Sequence, residues 1–78
     1  MKIACFGIAR EIAGGPSLDL PDVEGLTVAD LKRRLVVEHP ALGELVSFAV
    51  ARNEVYALDE EVLEAGDELV IIPPVSGG

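Results

Sequence analysis

The side chains best suited to covalent or general acid–base chemistry occur once each, as Cys5 and His39. Cys5 stands inside an apolar run from Lys2 to Ile8, where a thiol packs as a small hydrophobe. His39 precedes Pro40 at the end of a helical pattern, a position where an imidazole commonly meets the last helix carbonyls. No Ser-His-Asp set can be assembled, and neither a P-loop nor a dinucleotide fingerprint is present. The acidic run Asp59-Glu60-Glu61 reads as a solvated turn rather than paired carboxylates in a cleft.

The last residues are different in kind: Pro73, Pro74, Val75, Ser76, Gly77 and Gly78. Extended, they reach about 20 Å at roughly 3.3–3.6 Å per residue. Two prolines stiffen the exit from the preceding strand. Two glycines carry no side chains, so they can enter a channel too narrow for any other residue. That combination suits a carboxylate delivered into another protein's active site. A carboxylate is a poor electrophile, but transfer of AMP from ATP makes it an acyl adenylate with a good leaving group. Attack by sulfur on that adenylate leaves a thiocarboxylate, which is anionic near neutral pH and nucleophilic. Gly78 is then the reacting residue and Gly77 its companion. The chain supplies the reacting atom as a non-catalytic donor, and its partners supply the acids, the bases and the ATP site.

The elements that must position this tail follow from periodicity. The run from Lys2 to Ile8 reads as a strand, Gly14-Gly15-Pro16 as a turn, and Ser17 to Leu20 as a second, half-exposed strand. These two predict an antiparallel hairpin. Thr27-Val28-Ala29-Asp30 matches a capping box, and Val28, Leu31 and Leu35 follow as one apolar stripe of the only long helix. Pro40 ends it. Ser47 to Arg52 reads as a third strand. Val55 to Ala57 reads as a short one after a turn at Asn53-Glu54, and Glu68 to Ile72 as the last strand, after a turn at Ala65-Gly66-Asp67. Pro73-Pro74 stops the sheet ladder.

One main helix can cover only one face of such a sheet, which predicts an α+β, two-layer domain over residues 1–78 with a flexible tail at 73–78. The most apolar strands are the first and the last, so they are expected to be central neighbours, the β-grasp arrangement of ubiquitin, in a mixed sheet of four to five strands. The other sheet face stays partly open, and an open apolar face is usually an interaction surface.

Composition narrows the partners. Half of the 78 residues are apolar, enough for a core without staples. A single cysteine excludes an internal disulfide, and no Cys/His cluster can hold a metal. Fourteen acidic residues against six basic ones give a net charge of −8, which disfavours nucleic acid and anionic membrane as partners and favours a basic protein surface. No secretory signal or bilayer-spanning run is read, so the chain is expected in the cytoplasm.

The whole chain resembles the small subunit of molybdopterin synthase, the MoaD family. The ending from Ile72 to Gly78 is similar to that family's Pro-Pro-Val-Ser/Thr-Gly-Gly terminus. Ala65-Gly66-Asp67-Glu68-Leu69 resembles its turn into the last strand, Ala51-Arg52-Asn53 its Val-Asn turn, and Phe6 with Arg10-Glu11 its first strand and exit. The resemblance implies a ubiquitin-like sulfur carrier in molybdenum cofactor biosynthesis, with no cofactor bound by the chain itself. It implies two partners. A MoeB-like adenylating enzyme, related to ubiquitin-activating enzymes, uses ATP and Mg²⁺ on Gly78. A MoaE-like large subunit receives the tail, provides the catalytic side chains and passes sulfur to cyclic pyranopterin monophosphate. Partner contact is implied at Phe6, Arg10, Tyr56, Ile72, Pro73, Pro74, Val75 and Ser76. Tyr56 stands where the family is usually aliphatic, and Ile72 where it is often aromatic.

Three other readings share parts of this pattern. A thiamine or cysteine pathway carrier has the fold and the Gly-Gly end, although thiamine carriers generally lack the Pro-Pro pair. A ubiquitin-like modifier would join Gly78 to lysines. A β-grasp interaction module would have no tail chemistry.

Overall fold

The computed structural model describes residues 1–45 and 47–74. Five strands form one mixed sheet: β1 Lys2–Cys5, β2 Ser17–Asp19, β3 Ala49–Arg52, β4 Val55–Tyr56 and β5 Leu69–Ile72, in the spatial order β2-β1-β5-β3-β4. Among the described residues, two α-helices, α1 Gly7–Ala13 and α2 Val28–Glu38, and a short 3₁₀ helix at Pro40–Glu44 accompany it.

β5 is the central strand. It runs parallel to β1, with Ile3 opposite Leu69 and Cys5 opposite Ile71, and antiparallel to β3, with Val50 opposite Ile71. The first and last strands are therefore neighbours, as their apolar composition predicts. Residues of one parity, Ile3, Cys5, Val50, Leu69 and Ile71, are buried beneath α2 together with Val28, Leu31 and Leu35. Full burial of each large aliphatic side chain contributes about 2 kcal/mol.

α2 begins as its sequence requires. The Asp30 N–H donates to Thr27 Oγ1 at 3.2 Å, and the Thr27 N–H donates back to Asp30 Oδ2 at 3.4 Å. The turn at Asn53-Glu54 has φ of 52° and 71°, the left-handed pair that a two-residue hairpin demands.

The N-terminal reading needs correction. The strand predicted to Ile8 ends at Cys5, and Gly7 to Ala13 is a helix that links β1 to β2. The antiparallel pairing of β1 with β2 is present, but it is not a simple hairpin. Phe6 at the N-cap offers no capping side chain and the first turn holds no acid, so the usual helix-start signals are absent. What closes α1 is Gly14, left-handed at φ 81°, whose N–H donates to the Arg10 carbonyl. The third strand starts at Ala49 rather than Ser47 and the last at Leu69 rather than Glu68. Pro40 ends α2 and also occupies the first turn of the 3₁₀ helix, where its missing N–H costs nothing.

Candidate functional site

Because β1 and β5 are parallel and in register, both reach their carboxyl ends at the same edge of the sheet. The side chains of the parity opposite to the core form the uncovered face. Across it lie Ser17, Ala4, Val70, Ala51 and Tyr56, one per strand, joined by the pairs Ser17–Ala4, Ala4–Val70, Val70–Ala51 and Ala51–Tyr56. One step nearer the exit, Ile72 pairs with Ala49, and the register carries Phe6 to the level of Ile72. From β1 to β4 toward the exit this face is apolar, and Ala4, Ala49 and Ala51 keep it shallow. Phe6 is 60% exposed and Tyr56 67%.

At the exit a depression of about 350 Å³ is lined by Phe48, Ala49, Tyr56, Ile72, Pro73 and Pro74 among others. Tyr56, Ile72, Pro73 and Pro74, expected at partner contacts, are thus brought together. Phe6, the residue after β1, does not line the depression. Arg10 sits on the exposed side of α1, one turn beyond Phe6, and its N–H donates to the Phe6 carbonyl at 3.4 Å. It has no ion-pair partner among the described residues. Val75, Ser76, Gly77 and Gly78 lie outside the described residues.

Gly7 fixes how closely the two strand ends meet. Its φ is +56°, a region that favours glycine, and a β-carbon there would lie 3.4 Å from Pro73 Cγ. The backbone leaving β1 therefore abuts the first proline after β5. Neither Gly7 nor the alanine floor was anticipated from the sequence. Alternation opposite to the buried Ile3, Cys5, Leu69 and Ile71 was the available signal for the alanines.

The side chains excluded from chemistry are where packing would put them. Cys5 is buried, its Sγ lies 3.7 Å from the Ile3 carbonyl oxygen, and burial pushes its thiol pKa up. A neutral, enclosed thiol is a poor sulfur relay. His39 caps α2 through its backbone N–H, which donates to the Leu35 carbonyl at 2.8 Å. Its imidazole makes no hydrogen bond to those carbonyls among the described residues. In the acidic run, Asp59 pairs with Lys32 at 2.8 Å and Glu61 with Arg52 at 3.2 Å, so the carboxylates face cations and not one another.

Arg52 is a centre that sequence reading missed. It reaches Glu61, Glu64 and Asp67, residues nine to fifteen positions away, and no local spacing announces such a cluster. It ties the irregular segment before β5 to the end of β3.

A family model described as the ThiS family matches residues 3–78. The molybdopterin synthase sulfur carrier subunit of Arabidopsis thaliana is 42% identical over 100% of this chain and 82% of its own length. The small archaeal modifier protein 1 of Haloferax volcanii is 41% identical over 100% of both chains. Among solved structures, the crystal structure of SAMP1 from Haloferax volcanii superposes with a TM-score of 0.79 at 34% identity, covering 99% of this chain and 97% of that one.

Proposed function

The chain belongs to the ThiS family, and on that premise we propose that it is the sulfur-carrier subunit of a molybdopterin synthase in molybdenum cofactor biosynthesis. One observation carries this reading. The similarity to the Arabidopsis sulfur carrier subunit takes in all of this chain, so it includes the segment from Pro73 to Gly78.

The chemistry proceeds on the terminal carboxylate of Gly78. An adenylating partner of the MoeB kind, using ATP and Mg²⁺, forms the acyl adenylate and releases pyrophosphate. A sulfur nucleophile attacks the carbonyl carbon, the bond to phosphate breaks, and AMP leaves. The resulting thiocarboxylate enters a MoaE-like large subunit, which directs the sulfur to cyclic pyranopterin monophosphate. In this scheme the open face around Tyr56 and Ile72 docks the partner while Pro73 and Pro74 aim the tail. The test is to delete Gly78, or to add a residue after it, and to assay sulfur transfer with both partners present. Loss of transfer in a folded protein is expected. Transfer by an extended chain that is not trimmed back to Gly78 contradicts the reading.

The full-length match to an archaeal modifier protein favours a second use of the same end, an isopeptide bond from Gly78 to lysines of other proteins. Mass spectrometry of lysine adducts, formed with and without a sulfur source, separates the two outcomes.

A further inference from the structure

The chain holds three amines, at the N-terminus, Lys2 and Lys32, and the fold disposes of two of them. The Met1 ammonium donates to Asp19 Oδ1 at 2.9 Å and to the Leu20 carbonyl at 2.6 Å. Lys32 Nζ is held by Asp59 at 2.8 Å on a side chain that is 29% exposed. Lys2 is exposed, and it has no ion-pair partner among the described residues.

Lys2 also stands at the wall of a depression of about 450 Å³ on the open face, at the end of the sheet remote from the tail exit. Met1, Ala4, Leu69 and Val70 give it an apolar lining, with Glu24 and Glu68 beside them. The two terminal glycines of a tail carry no side chains that could conflict with such a surface.

Taking the activation of Gly78 from the preceding reading, we propose that Lys2 is an acylation site, the amine that takes up the activated C-terminal glycine of a second copy of this chain when sulfur is absent. The Lys2 nitrogen attacks the adenylate carbonyl and an N–C bond forms. The bond from that carbon to the phosphate oxygen breaks, AMP leaves with the electron pair, and the amine proton passes to water. The product is an isopeptide-linked dimer.

The acyl donor is a second copy because the chain's own tail is badly placed. The register sets Lys2 level with Glu68, six residues before Pro74, or about 20 Å along the strand direction. Four residues beyond Pro74 span at most roughly 14 Å, and they would have to reverse direction directly after two prolines.

The experiment uses the full chain with an adenylating enzyme, ATP and Mg²⁺, and no sulfur source. Pyrophosphate release is followed beside intact mass, and the products are mapped after cleavage at glutamate. Expected are pyrophosphate release and a dimer of twice the chain mass less one water, with the Leu69-to-Gly78 peptide attached at Lys2. Lys2→Arg loses that dimer while pyrophosphate release is unchanged, and Lys32→Arg keeps it. Pyrophosphate release with only monomer, a dimer joined at Lys32 or Met1, or a monomer that has lost one water overturns the proposal and leaves the carrier reading standing. Absence of pyrophosphate release overturns both.

Discussion

Arg52 Nε donates to Asp67 Oδ2 at 2.6 Å, joining the end of β3 to the turn that leads into β5. Asp67 also accepts from the Glu64 N–H at 2.8 Å and from Asn53 Nδ2 at 3.0 Å, and its side chain is 7% exposed. The backbone bond from Glu64, then the Arg52 and Asn53 side chains, hold its carboxyl below the ordinary value of 3.8. Asp30 is lowered likewise, first by the Thr27 hydroxyl. A carboxyl depressed in the folded state adds stability that is fully present above its unfolded pKa and is lost as pH falls through the folded one. Denaturant titrations from neutral pH down to pH values below 3.8 are therefore expected to show falling stability. Asp67→Asn should lessen that acid dependence, and Asp67→Ala should cost about 2 kcal/mol near neutral pH through lost charged hydrogen bonds. An unchanged pH profile in Asp67→Asn contradicts this.

Cys5→Ala is expected to keep full sulfur loading and transfer, because the thiol is buried and its pKa is raised. Its effect should be a stability loss of about 1 kcal/mol, read from the denaturant midpoint. A folded Cys5→Ala protein that no longer forms thiocarboxylate would make the cysteine a sulfur relay.

Docking and chemistry separate by mutation. Phe6 and Tyr56 are largely exposed, so Phe6→Asp or Tyr56→Asp should leave the fold intact, whereas Ile71→Asp, fully buried, should not. Loss of an interfacial anchor costs on the order of 2 kcal/mol, so affinity for the large subunit should fall at least several-fold. Saturating partner should restore transfer, since the tail remains competent. Gly77→Val and Gly78→Val should not be rescued in this way, because a side chain at the reacting end blocks a narrow channel. Titration of large subunit against each variant decides it, and rescue of the glycine variants would show that Gly-Gly serves flexibility alone.

Much of the frame was legible because its signals are local. Thr27 and Asp30 form the expected capping box, Val28, Leu31 and Leu35 form the buried stripe, and the apolar β1 and β5 are central neighbours. α1 was not legible, since Phe6 and Gly7 continue an apolar run that reads as strand. The true break is a backbone turn at Gly7, with φ +56°, that composition does not record. Ile8, Ala9, Ile12 and Ala13, ending at Gly14, were the one helical cue. The Arg52 cluster escaped because its partners come together only when the segment between β4 and β5 folds back. Of the site, Tyr56, Ile72, Pro73 and Pro74 meet at one depression, while Arg10 lies on α1.

The central claim is that the reactive group is the carboxylate of Gly78. Its most direct test is the intact mass of the chain after incubation with the adenylating enzyme, ATP, Mg²⁺ and a sulfur source. The predicted result is a single mass gain equal to replacing one oxygen by sulfur, located in the Leu69-to-Gly78 peptide and lost again on incubation with the large subunit and its pterin substrate. No gain, or a gain located at Cys5, would contradict the account.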